Sequence, residues 1–126
     1  VHRSRISTLL IDTPHADAAA AAAFWSAATG AVATPVPGEE QFTHLEAVIP
    51  GLVTAVQAIG DPARYHLDME TDEVAAETAR LVALGAVEVG AWLECRTLRA
   101  PGGHLLCVIP VHSDPAEFTA AAHVWP

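Results

Sequence analysis

The strongest constraint on this 126-residue chain is that its second half repeats the element order of its first. Residues 5–12 (RISTLLID) are rich in aliphatic and β-branched side chains and predict a strand, which Pro14 ends. The run Asp17 to Thr29 follows, and its six consecutive alanines, Ala18 to Ala23, predict a helix that Gly30 closes. Such small side chains let a helix lie close to a sheet. Strand-like segments then fall near 31–34, 42–49 and 52–59, the last two joined by the turn pair Pro50-Gly51.

The same order returns from residue 64. RYHLDMET (64–71) alternates polar and apolar side chains as a half-buried strand does. Asp72 then opens a helix with Val74, Leu81, Val82 and Leu84 at helical spacing, ended by Gly85. Strand-like segments follow near 86–90, 93–99 and 104–110, with Pro101-Gly102-Gly103 as the matching hairpin turn. The two helices also end alike, in Thr29-Gly30-Ala31 and Leu84-Gly85-Ala86. The expected fold is α+β: two βαβββ modules, about 4–60 and 63–111, forming curved sheets around a cleft within a single domain.

Residues 112–126 extend beyond the repeat. Asp114, Pro115 and Glu117 read as N-cap, first-turn proline and capping-box acid, so a short C-terminal helix over about 115–123 is expected, with His123, Val124 and Trp125 ending it. It packs on the sheet, meets a dimer partner, or serves as a lid over the cleft.

Composition narrows the function. The chain is 52% hydrophobic and 17% charged, as a compact fold requires, and carries a net charge of -9 with arginine as its only strongly basic residue. No basic stripe exists to neutralise phosphates, so nucleic acid is not an expected partner. No apolar run is long enough to span a bilayer, and no signal-type segment follows His2, Arg3, Ser4 and Arg5, so a cytoplasmic protein without a membrane partner is expected. Cys95 and Cys107 lack metal-knuckle spacing and read as free thiols.

Asp17 to Gly30 with its Phe24-Trp25, the stretch Arg64-Tyr65-His66-Leu67-Asp68 leading to Thr71-Asp72-Glu73-Val74, and Leu98 to Pro110 together resemble the glyoxalase/bleomycin-resistance branch of the vicinal-oxygen-chelate superfamily. The resemblance implies paired βαβββ modules, a ligand cleft and, commonly, a homodimer. It leaves the activity open among metal-dependent isomerases, dioxygenases, epimerases, thiol transferases and antibiotic-binding proteins.

The family's metal enzymes place a ligand on the first and last strand of each module. In this sequence those positions carry Ile6 (or Ser7, one residue on), Gln57, His66 and Cys107. This is a poor set for a hard divalent cation, so neither a metal nor a cofactor is expected. Asp68 and Glu70 follow His66 on the same strand face; either they complete a different metal site with it, or Asp68 orients His66 or binds a ligand hydroxyl and Glu70 lies at the solvated strand end, which is the expected arrangement.

The expected ligand contacts are therefore His66, Gln57, Cys107, Asp68, Trp92, His44 and Trp125, with no catalytic residue assigned. Trp92, at the start of the strand entering the second hairpin, and Trp125 offer flat faces to a planar molecule. The resulting expectation is a metal-independent protein that sequesters a bulky, partly aromatic natural product or antibiotic for self-protection. The competing expectation is an enzyme, either metal-dependent or using His66 for acid and base chemistry.

Overall fold

The computed structural model describes residues 1–126. In chain order its elements are β1 (His2–Pro14), a one-turn 3-10 helix (His15–Asp17), α1 (Ala18–Thr29), β2 (Ala33–Pro35), β3 (Phe42–Ile49), β4 (Leu52–Ile59), β5 (Arg64–Thr71), α2 (Val74–Ala83), β6 (Val87–Trp92), β7 (Cys95–Arg99), β8 (Leu105–Pro110), α3 (Pro115–Ala121) and β9 (His123–Trp125). Two βαβββ modules and a short C-terminal helix are present. Three details differ from the sequence reading. Trp92 ends β6 instead of starting the next strand, because the turn is made at Leu93-Glu94, with Leu93 at a positive φ of 53°. The first strand is longer at both ends. His123 to Trp125 form a further strand, because β1 offers them an antiparallel partner at His2 to Ser4.

The chain divides into two compact units, Thr8–His66 and a terminal unit of Val1–Ser7 with Leu67–Pro126. These cut β1 and β5 instead of falling between the modules. The hydrogen bonding of β1 supplies the reason: Thr8 to Pro14 pair with β4, whereas His2 to Ser4 pair with β9.

In the Thr8–His66 unit the strand order is β2-β3-β4-β1. The β4 strand runs parallel to β1 and antiparallel to β3. Helix α1 packs on β3 and β4. It ends at Gly30, whose φ of +76° is one that a side chain would resist and whose N–H donates to Ser26 O at 2.9 Å. Leu10, Leu45, Ala55 and Val56 form the buried apolar part of this unit.

In the terminal unit the order is β1-β5-β8-β7-β6. Ala86, Leu98 and Val108 are its buried core, with Val74, Leu81 and Leu106 packed against them. Two carboxylates are also fully buried here. Glu77 of α2 accepts from Arg80 Nε (2.7 Å) and Nη2 (2.8 Å) and from His2 Nε2 (2.8 Å). The same arginine lies over the Trp125 ring at 3.6 Å, and Trp125 Nε1 donates to Ser4 Oγ at 2.9 Å, which ties β9 to β1 and α2.

Glu70, expected in solvent, is instead 0% exposed. It accepts from Arg5 Nε (2.7 Å), Ser113 Oγ (2.7 Å) and the backbone N–H groups of His112 (3.1 Å) and Ser113 (3.2 Å). The correction has a simple cause. Residues 111–113 fold back across the end of β5 and supply donors that no local pattern announces.

Burial pushes both carboxyls up, but hydrogen bonds outweigh it and hold both below the ordinary 4.5: Arg5, Ser113 and His112 at Glu70, and Arg80, Ser4 and His2 at Glu77. A lowered folded pKa means that the unfolded chain binds more protons as pH falls. The stability from these groups is therefore complete above the unfolded value of about 4.5 and is lost as pH drops through their lower folded values. Urea midpoints measured from pH 7 down to pH 3 are expected to hold nearly level to about pH 5 and then decline. A Glu70→Gln, Glu77→Gln double variant that declines as steeply as the parent would refute the assignment.

Candidate functional site

The site is built on one face of the Thr8–His66 sheet. Strand register sets Asp12 beside Gln57 and Gln57 beside Phe42, and sets Leu10 beside Ala55 and Ala55 beside His44. Register partners share a face and alternate residues leave it, so Leu10, Asp12, Phe42, His44, Ala55 and Gln57 all project on the same side. Ile11, Thr13, Leu45 and Val56 project on the other.

Asp12 is the charged centre of this face and is 1% exposed. Its Oδ2 accepts from His66 Nδ1–H at 2.6 Å and from Arg64 Nε at 3.2 Å. An ionised carboxylate only accepts, so this contact places the histidine proton on Nδ1 and leaves Nε2 as the basic nitrogen. The other carboxylate oxygen, Oδ1, is buried without a hydrogen-bond partner. A buried unpartnered acceptor costs about 1–3 kcal/mol, and more when charged.

Three of the sequence-predicted residues, His44, Gln57 and His66, are thus brought to one place, and Asp12 joins them. Sequence reading missed Asp12 because it sits at the end of a strand 54 positions from His66 and has no spacing signature. The carboxylate found on His66 Nδ1 is Asp12.

Asp68 and Cys107 fall in the terminal unit, where they are register partners on β5 and β8. Cys107 is in turn opposite Thr97, with Sγ and Oγ1 3.6 Å apart. Burial pushes the neighbouring Cys95 thiol up, and Cys107, Asp68 and Glu94 add to the effect, so Cys95 is not an activated thiolate. Trp92 is 62% exposed at the β6–β7 hairpin, and Trp125 is engaged by Arg80 and Ser4.

The donor set at the family's metal positions can be tested residue by residue. Ile6 carries no donor atom. The Ser7 hydroxyl meets His112 Nε2 at 2.9 Å and the Asp68 carbonyl at 3.4 Å. Gln57 offers a neutral amide and Cys107 a thiol. A hard divalent cation requires several charged or imidazole donors, and the four family positions by themselves supply one imidazole and no carboxylate, a poor set for such an ion.

A β-strand, a helix and three strands, run twice, with a polar sheet face in the first module, define a protein of the vicinal-oxygen-chelate type. The family model for the glyoxalase-like domain matches residues 8–109, and the chain belongs to that family. No curated protein matches the sequence.

Among solved structures, the chain is similar to a hypothetical protein from Bacillus halodurans C-125, with 9% identity, 88% of this chain and 96% of that one covered, and a TM-score of 0.62. It is similar to methylmalonyl-CoA epimerase from Mycobacterium tuberculosis at 13% identity, with 84% and 87% covered and a TM-score of 0.54. A variant of the Streptomyces coelicolor methylmalonyl-CoA epimerase, in complex with 2-nitronate-propionyl-CoA, gives 16% identity, 86% and 98% covered, and a TM-score of 0.53. The chain spans 34% of a hypothetical protein from Staphylococcus aureus. At these identities the likeness is one of fold.

Proposed function

We propose that this glyoxalase-like chain binds a small molecule without a metal or cofactor, using the Asp12 face, and that it sequesters a bulky, partly aromatic natural product or antibiotic. One observation carries the reading: Asp12 Oδ1 is buried without a partner on the face that also presents His44, Gln57, His66 and Phe42. A ligand donor that reaches Oδ1 as the lining side chains move aside would relieve that cost, Gln57 could both donate and accept, and Phe42 adds apolar surface. A few convergent polar groups on an otherwise apolar lining are what small-molecule sites are made of.

The expected result is that a natural-product panel contains a compound raising the melting temperature, with stabilisation near 2.7 kcal/mol at about 100 times its dissociation constant. Asp12→Asn should weaken that compound about tenfold or more, as loss of a charge-assisted hydrogen bond of about 1.5–3 kcal/mol requires. Binding that is indifferent to Asp12→Asn would overturn the assignment to this face.

A second reading, acid and base catalysis by His66, is favoured by the 2.6 Å contact from Asp12, since a buried carboxylate on Nδ1 fixes the ring's orientation and tautomer and turns Nε2 to the substrate. The intact mass of each bound compound, measured after incubation, separates the readings: recovery unaltered supports sequestration, and a changed mass that His66→Gln abolishes supports catalysis.

A further inference from the structure

We propose that a second binding site, a pocket against α1 that borders the first site at the Asp12–Arg64 pair, takes a small aromatic molecule bearing a cationic nitrogen. A pocket of about 370 Å³ lies between α1, the end of β1 and the start of β5, within the range of about 300–1,000 Å³ usual for ligand sites. Its apolar walls are Ile11, Pro14, Ala21, Trp25 and Tyr65. Asp12 and Arg64 border the pocket, and strand alternation separates the rest of it from the Asp12 face. Ile11 alternates with Asp12, and Tyr65 with Arg64 and His66, so the Tyr65 ring leaves β5 on the side away from His66.

Three features select the ligand. The alanines of α1 leave room beside Trp25, since Ala21 lines the pocket where a longer side chain would fill it. Trp25 and Tyr65 offer aromatic faces, which attract both flat rings and cations. The charge of the lining is unbalanced. Arg64 is engaged by Asp12 at 3.2 Å and by Asp61 at 3.5 Å. Asp17, by contrast, stands at the N-cap position of α1 without making a side-chain cap bond, and it has no ion-pair partner. A carboxylate in the wall of an aromatic pocket, without a role in capping its own helix, is placed to meet an ammonium or guanidinium group.

The test uses three matched probes, 4-phenylbutylamine, 4-phenylbutanol and 4-phenylbutyrate, titrated into the isotope-labelled full chain and followed by amide and Trp25 indole N–H shifts. The amine is expected to bind about tenfold more tightly than the alcohol, with the carboxylate weakest, as one ion pair plus a cation–π contact would give. Asp17→Asn should remove the preference for the amine while leaving the alcohol unchanged, and Trp25→Ala or the more exposed Tyr65→Ala should weaken all three. Equal binding of the three probes, an amine preference that survives Asp17→Asn, or no shift at Trp25 would each overturn the proposal. Asp17, Trp25 and Tyr65 lie outside the Asp12 face, so failure of these variants leaves the proposed function standing, whereas Asp12→Asn touches both sites and is not used to tell them apart.

Discussion

Glu70→Ala is expected to cost about 3–5 kcal/mol of stability, the usual penalty for removing one member of a buried, hydrogen-bonded ion pair. The size follows from what the carboxylate holds. Arg5 Nε and Ser113 Oγ each donate at 2.7 Å, and the backbone N–H groups of His112 and Ser113 at 3.1 and 3.2 Å. Removing the acceptor leaves a partly buried guanidinium and two backbone donors to find water or go without, and each orphaned donor carries its own desolvation cost of about 1–3 kcal/mol. These costs overlap and do not add fully. Urea denaturation at pH 7 measures the total, and a loss below about 1 kcal/mol would show that the cluster is replaced by solvent. Glu70→Gln keeps the shape and two of the acceptor contacts, so it should fall between parent and alanine variant. The substitution also reports on topology, since the contacts reach from β5 to Arg5 and to residues 112–113, and hydrogen exchange should quicken at both places together.

Leu98→Ala should cost about 2–5 kcal/mol, through lost burial plus the cavity left behind. Leu98 has no solvent exposure and packs among Ala86, Val108, Val74, Leu81 and Leu106. Because Ala86 is already small, the surroundings have little with which to fill the gap. Leu93→Ala is the matched control. The same atoms are removed at a residue exposed on the β6–β7 turn, where an effect within about 0.5 kcal/mol is expected. Leu93 also sits at positive φ, where alanine is strained no more than leucine. Near-equal losses at the two positions would contradict the assigned core.

The two βαβββ modules were readable in the sequence because their signals are local. Strand bounds at 42–49, 52–59 and 64–71 coincide with β3, β4 and β5, since Pro50-Gly51 and the residue alternation act over a few positions. The helix stop at Gly30 was equally plain, for a left-handed φ there demands glycine. The candidate site was only half readable. His66 and Gln57 could be named from their places in the repeat and His44 from its strand, but Asp12 could not, because its role depends on a register between strands far apart in the chain.

The repeat with which the sequence opens therefore determined the order of elements and where most of them begin and end, through turn chemistry, helix propensity and side-chain alternation. The tertiary structure alone decided which charges are buried and what they meet. Glu70 and Asp68 look alike on one strand, yet only Glu70 lies under residues 111–113 and is wholly buried. Nothing in the sequence around Trp125 announces that β9 pairs with β1 and brings its ring beneath Arg80. A polar side chain carries no local mark of its partner, because that partner is set by long-range pairing and not by its sequence neighbours.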